Sequence, residues 1–276
     1  MPLADRFDGL LVDLDGVVWI GRDPVPGSPE ALRALIQAGK PIVFVTNNPG
    51  KHPRAYAKRL GGMGVGVVPE QIVTAGMVAA RLASEAAAAP GKTVRAFVIG
   101  MPALEEMVTG AGAQLLERDE AEKADVVVVS GHRGFDYREL LAAKRALDHG
   151  AALVATSRDP TMPYPGGELP GTGAVLAAVE TATGRRAEIA GKPERHLFEM
   201  ARQALACSSA GNSNEKEQAD WRVAMVGDRL SSDIEGGRRA GLETVLVLSG
   251  TTSREQAAAA DPAPDFVLED LSGLLA

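Results

Sequence analysis

Short apolar runs rich in Val, Leu and Ile alternate with amphipathic stretches along almost the whole chain, and this alternation restricts the fold more than any other feature. Strands separated by helices run parallel, because each helix carries the chain back to the edge of the sheet where the next strand starts. The first run lies within residues 7–18. It is short, Leu/Val-rich and cut by Gly16, which predicts a strand buried on both faces. Further strands are predicted at 41–45, 72–74, 222–226 and 244–248, with helices at 28–39 and 53–60. Ser28 is the expected N-cap of the first helix, with Pro29 in its first turn and Gly39 at its end. A second series occupies the middle of the chain, with strands at 94–99, 125–129 and 152–156 and helices at 103–109, 137–148 and 173–183. The expected architecture is α/β. A doubly wound parallel-sheet core spans residues 1–74 and 187–276, and an α/β domain is inserted at 75–186.

Composition agrees. Apolar residues make up 45% of 276 residues but aromatics only 4%, so the core must be built from Ala, Val, Leu and Ile. A net charge of −7 with no basic block argues against a nucleic-acid partner. Cys207 is the only cysteine, which leaves no intrachain disulfide and no cysteine-based zinc site. No apolar stretch approaches ~20 residues and the N-terminus lacks a signal-peptide pattern, so no membrane association and a cytoplasmic location are expected. The polar stretch 207–220 reads as a solvated loop with no functional demand on it. Met101 and Met107 read as core residues.

The chemistry gathers at strand tips. Asp13 and Asp15 follow the first apolar run. If the strand continues through both, they share a face; if it breaks at Leu14, Asp15 turns back over the strand end. Either way negative charge concentrates where open α/β sheets bind ligands. That suggests a metal, a nucleophile with an acid–base partner, or both. Thr46-Asn47-Asn48 follows the second strand and offers donors for an anion; an Asn-rich turn before Pro49 is the plainer alternative. Lys192 stands just before an expected helix start, where its charge opposes the helix dipole unless an anion lies between them. Asp228 follows the 222–226 strand, and Asp233 falls in the first turn of the next helix, where capping alone would explain it. Up to four carboxylates, one hydroxyl–amide loop and one lysine suit Mg²⁺ and a phosphoryl group.

In order along the chain, Asp13-Leu14-Asp15-Gly16, Thr46-Asn47-Asn48, Lys192 in Gly191-Lys192-Pro193, and Gly227-Asp228 with Asp233 resemble the four motifs of the haloacid dehalogenase superfamily. The size and place of the insert, with Trp19 and Gly21 after the first motif, resemble subclass IIA, the NagD-like and p-nitrophenyl-phosphatase-like enzymes. The resemblance implies an Mg²⁺-dependent phosphatase acting on a small phosphorylated metabolite such as a sugar phosphate, glycerol phosphate, nucleotide or pyridoxal phosphate. Asp13 would be the nucleophile that forms an aspartyl-phosphate, and Asp15 the acid–base. Asp13, Asp228 and Asp15 (through its main-chain carbonyl) would hold the metal, with Asp233 steadying them from behind. Thr46, Asn47, Asn48 and Lys192 would bind the phosphoryl group. The insert would be a cap, with His132, Arg133 and Asp159 as candidate specificity residues, and a route to a homodimer. Two alternatives share these residue types: a phosphomutase of the same superfamily, and a phosphoryl-accepting signalling module. The module fits less well, because a receiver domain is roughly half this length and has no insert.

Overall fold

The computed structural model describes residues 1–86, 91–164, 167–208 and 221–276. The chain divides into two compact units: Met1–Thr46, Pro53–Val73 and Lys192–Ala276 form one, and Asn47–His52 with Thr74–Gly191 form the other. The division falls at 73/74 and 191/192 rather than the expected 74/75 and 186/187, and six residues after Thr46 group with the insert.

The first unit is built on a six-stranded sheet. Its order is Phe266–Leu268, Glu243–Val247, Val223–Gly227, Gly9–Asp13, Ile42–Thr46, Ile72–Thr74. The pairings that link the first five strands of this order are parallel. Numbered by appearance in the chain, the order is 6-5-4-1-2-3, the doubly wound arrangement. The winding reverses between Gly9–Asp13 and Val223–Gly227, so a crevice opens beyond the carboxyl ends of those two strands. Every residue of both strands is buried, which is why neither shows polar alternation. Leu10 and Val12 share a core with Phe44, Val226, Leu32, Leu60 and Trp19. Asp13 lies on the opposite strand face, with Gly9 and Leu11. There the helix Arg195–Ser208 packs so close that a Cβ on Gly9 would come within 2.7 Å of Leu205.

The second unit carries a five-stranded sheet in the order Glu188–Ile189, Ala152–Ala155, Val126–Val129, Arg95–Ile99, Gln114–Leu115, with all pairings parallel. Helices Ala75–Glu85, Pro102–Gly110, Tyr137–Asp148 and Thr172–Thr183 accompany it. Val127, Val129, Ala142, Ala146, Leu176 and Val179 belong to its core. An antiparallel hairpin, Thr161–Tyr164 with Gly167–Pro170, adds a small second sheet.

Several sequence expectations need correction. Ser28 is the first residue of the helix Ser28–Gln37 rather than its cap; it is buried, and its hydroxyl donates to the Val17 carbonyl at 2.8 Å. Met101 is 44% exposed, one residue ahead of the helix Pro102–Gly110, while Met107 is buried. The expected helix after Asp228 begins as a π-type turn, Leu230–Ile234, before the short helix Glu235–Arg239. Of the expected polar loop at 207–220, Cys207 and Ser208 end a helix and the rest lies outside the described residues. Among the described residues no helix is long and apolar enough to cross a membrane.

Candidate active site

The strand Gly9–Asp13 stops at Asp13, and Leu14 turns into the core. The alternative in which both aspartates continue the strand is therefore excluded. Asp15 lies past the break, bridged to Trp19, and Gly16 N–H donates to the Trp19 carbonyl at 2.7 Å. Gly16 adopts φ +87°, and a Cβ there would also meet Asp228 Oδ2 at 2.4 Å, so both backbone and space demand glycine.

The neighbouring strand brings in the second carboxylate. Gly9–Asp13 and Val223–Gly227 pair in parallel with Val12 opposite Val226, which sets Asp228 just beyond the strand tip beside Asp13. The π-type turn then returns Asp233 to the same place. One carboxylate oxygen from each of Asp13, Asp228 and Asp233 lies within 4.8 Å of the others. All three residues are buried, at 6%, 1% and 0% exposure, and so is Lys192 at 2%.

Lys192 Nζ sits 2.8 Å from Asp13 Oδ1 and 2.7 Å from Asp233 Oδ1. The anions expected to compensate a lysine ahead of a helix are thus these two carboxylates. Asp233 Oδ2 accepts from Arg229 N–H at 2.9 Å, so both of its oxygens are engaged. Asp228 Oδ2 accepts from Thr251 N–H at 2.6 Å, and its main-chain carbonyl accepts from the Thr252 hydroxyl at 2.6 Å. Among the described residues, Asp228 Oδ1 is buried with no hydrogen-bond partner. Gly250 closes the wall; a Cβ there would stand 2.1 Å from Asp228 Oδ2.

The electrostatics are unbalanced. With every group ionised, three carboxylates face one ammonium. Burial pushes the Asp13 carboxyl well above its ordinary range; Lys192 pulls it down, and Asp233 and Asp228 push it up. Burial, then Asp233, also raises Asp228 against the Thr251 hydrogen bond. For Lys192, burial favours the neutral amine, but Asp13 and Asp233 outweigh it and hold the ammonium above the ordinary lysine range. A buried carboxylate oxygen without a donor is costly. One in a cluster of carboxylate oxygens within 4.8 Å of one another suits a hard cation with oxygen ligands. These residues therefore fit a divalent metal, with Asp228 Oδ1 offering the clearest ligand atom.

The remaining expected residues fall as follows. Thr46 ends the strand Ile42–Thr46, is buried, and stands one residue beyond the Asp13–Val45 pair. Asn47 donates its side-chain amide to Asp159 Oδ2 at 2.9 Å, and Asn48 Oδ1 accepts from Gly50 N–H at 3.0 Å, both within the insert's unit. His132 accepts from Gly134 N–H at Nδ1 (3.2 Å), which assigns its proton to Nε2, and Nε2 meets Glu139 Oε2 at 2.9 Å. Glu139 also completes the capping box of the helix Tyr137–Asp148. His132 is thus built into its own loop, while Arg133 beside it is exposed. Sequence reasoning missed Gly250, Thr251 and Thr252. They follow the strand Glu243–Val247, and a Gly-Thr-Thr run at a strand tip was the available signal.

Residues 10–114 match the haloacid dehalogenase-like hydrolase family, and residues 189–274 match a HAD-hydrolase-like family. Chronophin from Bos taurus is 36% identical over 288 residues, covering 99% of this chain and 94% of that protein. Glycerol phosphate phosphatase from Mycobacterium tuberculosis, solved in complex with magnesium, superposes with a TM-score of 0.84 at 34% identity over 100% of this chain and 78% of that one. The p-nitrophenyl phosphatase from Archaeoglobus fulgidus gives a TM-score of 0.84 at 30% identity, covering 98% of each chain. With the doubly wound core, the inserted α/β unit and the aspartate cluster at the strand reversal, the chain belongs to the haloacid dehalogenase superfamily of hydrolases, in its NagD-like and p-nitrophenyl-phosphatase-like subclass.

Proposed function

We propose that this chain hydrolyses small phosphate monoesters, of the glycerol phosphate kind, through a phosphorylated Asp13. The observation that carries the reading is the buried Asp228 Oδ1, without a hydrogen-bond partner among the described residues, beside Asp13 and Asp233 at the point where the sheet's winding reverses. Asp13, Asp228 and the main-chain carbonyl of Asp15 would hold Mg²⁺. Asp233, with both oxygens already engaged, would steady Lys192 and the Arg229 turn instead. When bound, Mg²⁺ supplies the positive charge that offsets the carboxylates and screens Asp13 from an anionic substrate.

The residues of the chain do the rest. A carboxylate oxygen of Asp13 bonds to phosphorus as the bond from phosphorus to the ester oxygen breaks. Asp15 gives its proton to the departing alkoxide, which leaves as the alcohol. Asp15, now a base, takes a proton from a water whose oxygen attacks phosphorus, and inorganic phosphate leaves with Asp13 restored. Lys192 holds Asp13 in position through the 2.8 Å contact and, with Thr46 at the next strand tip, faces the phosphoryl oxygens. Asn47, bonded to Asp159, and Asn48, bonded to Gly50, shape the loop after Thr46. Of the insert's candidates, Asp159 acts through Asn47, and Arg133 is the side chain we assign to substrate choice.

Replacing Asp13 by Asn keeps the shape and removes the nucleophile. We expect Asp13→Asn to release no phosphate from p-nitrophenyl phosphate above about a thousandth of the wild-type rate, with an unchanged circular dichroism spectrum. Near-normal turnover in that variant would refute the assignment. Association through the insert would show in sedimentation velocity as a species of twice 28.7 kDa.

A further inference from the structure

Trp19 has a position that core packing alone does not explain. Its ring is fully buried, yet its one polar atom, Nε1, points at Asp15 and donates to Oδ1 at 2.9 Å. Two residues one turn apart on the helix Pro53–Gly62 hold the ring: Tyr56 lies parallel to it, with centroids 6.3 Å apart and planes 3° from coplanar, and the Arg59 guanidinium stands 3.9 Å from its centroid. Arg59 also donates to the Gly21 carbonyl at 2.7 Å, tying the same helix to the short hairpin Trp19–Ile20 with Asp23–Pro24. The Trp19 carbonyl receives Gly16 N–H at 2.7 Å, so the tryptophan grips the Asp15 loop through backbone and side chain together.

Building on the phosphatase reading above, we propose that Trp19 is the positioning residue for the acid–base step: its indole N–H fixes one oxygen of Asp15 and leaves the other as the only proton carrier. An indole N–H donates and never accepts. It can therefore bond Oδ1 whether Asp15 is ionised or protonated, and it can never receive the proton from Oδ1. The exchangeable proton is confined to Oδ2, which has no hydrogen bond among the described residues. A group that first gives a proton and then takes one gains from this arrangement, because the carboxyl need not rotate between the two steps. The packing of Tyr56 and Arg59 against the ring restrains the donor itself.

The test separates positioning from packing through the leaving group. An alkyl ester such as glycerol 3-phosphate departs as a strongly basic alkoxide and needs the proton. p-Nitrophenyl phosphate departs as a stable phenolate and does not. The quantity read is kcat/KM, which covers the steps up to departure of the alcohol and excludes hydrolysis of the phosphorylated aspartate. For Trp19→Phe we expect kcat/KM on the alkyl ester to fall about tenfold or more, a fraction of what general acid catalysis contributes, and that on the aryl ester to change less than about threefold. A site-specific benzothienylalanine at position 19 keeps the size and shape of tryptophan but lacks the N–H. It should give the same split and covers the case in which the phenylalanine variant does not fold. An equal fall on both esters would reduce Trp19 to a packing role, and no fall on either would show that the hydrogen bond is idle; each overturns the proposal while leaving the phosphatase reading intact. A wild-type protein inactive on both esters would remove that reading, and the proposal with it.

Discussion

Gly250 shows how much of the site depends on what is missing from a residue. A methyl group there would overlap Asp228 Oδ2 at 2.1 Å, against an oxygen already held by Thr251 N–H at 2.6 Å. The carboxylate would have to swing, and its free Oδ1 would swing with it. We expect Gly250→Ala to raise the Mg²⁺ concentration needed for half-maximal activity about ten- to a hundredfold, the range seen when groups orienting a ligand are lost. The check is an activity titration against Mg²⁺; an unchanged midpoint would show that the Asp228 carboxylate tolerates displacement. Among individual residues, Asp13 and Asp228 were legible in the sequence because each ends an apolar run, and the ordered motifs pointed to Lys192. Gly250 and Thr251 were signalled only by a Gly-Thr-Thr run after a strand, because their contribution is a close approach and a main-chain N–H, which residue type alone does not specify. The roles of Asp159 and His132 were equally hidden, since their partners, Asn47 and Glu139, are set by tertiary packing.

Elements are held by contacts of a different kind. In the insert, Glu180 on the helix Thr172–Thr183 is buried and receives Arg158 Nη2 at 2.7 Å, Arg186 Nη1 at 2.8 Å and Ala187 N–H at 2.9 Å. It thereby binds that helix to the segments on either side of it in the chain. Arg158 first, then the Ala187 N–H and Arg186, lower its carboxyl to about 2. A carboxyl depressed on folding stabilises above its unfolded value of about 4.3 and loses that contribution as the pH falls through about 2. Because Arg158 and Arg186 remain partly in solvent, we expect Glu180→Gln to cost only about 1 kcal/mol at neutral pH. The penalty should shrink towards zero as the pH drops from 4 to 2. Urea unfolding at a series of pH values measures this, and a penalty independent of pH would show that the charge is not what holds the helix. The long elements were visible from periodicity: the helix Tyr137–Asp148 has the bounds expected for it. The strands Gln114–Leu115 and Glu188–Ile189 were not, since two residues carry no period. The helix Ala75–Glu85 was missed because its many alanines blur the contrast between its faces, although Thr74 caps it by accepting from Met77 N–H. Ser28 shows that a hydroxyl beside Pro29 can serve a neighbouring loop instead of capping its own helix.

Across the molecule as a whole, parallel strands were legible and their order was not. Alternating strands and helices permit many windings. The order 6-5-4-1-2-3 sets the first strand beside Val223–Gly227, and from that neighbourhood the meeting of Asp13, Asp228 and Asp233 follows. Local pattern cannot encode it, because it depends on which distant strands exclude water together. The ordered motifs carried the information that periodicity lacked. Their convergence on one buried point explains why a chain with few aromatics and an acidic balance concentrates a lysine and three carboxylates at a single sheet crevice. The most direct measurement of that chemistry is to quench the protein with acid during turnover of p-nitrophenyl phosphate in Mg²⁺ and map the phosphorylated residue by peptide mass spectrometry. We expect one phosphoryl group on Asp13 in the wild type and none in Asp13→Asn. Steady turnover with the phosphoryl group on another residue, or a phosphorylated Asp13→Asn protein, would contradict it.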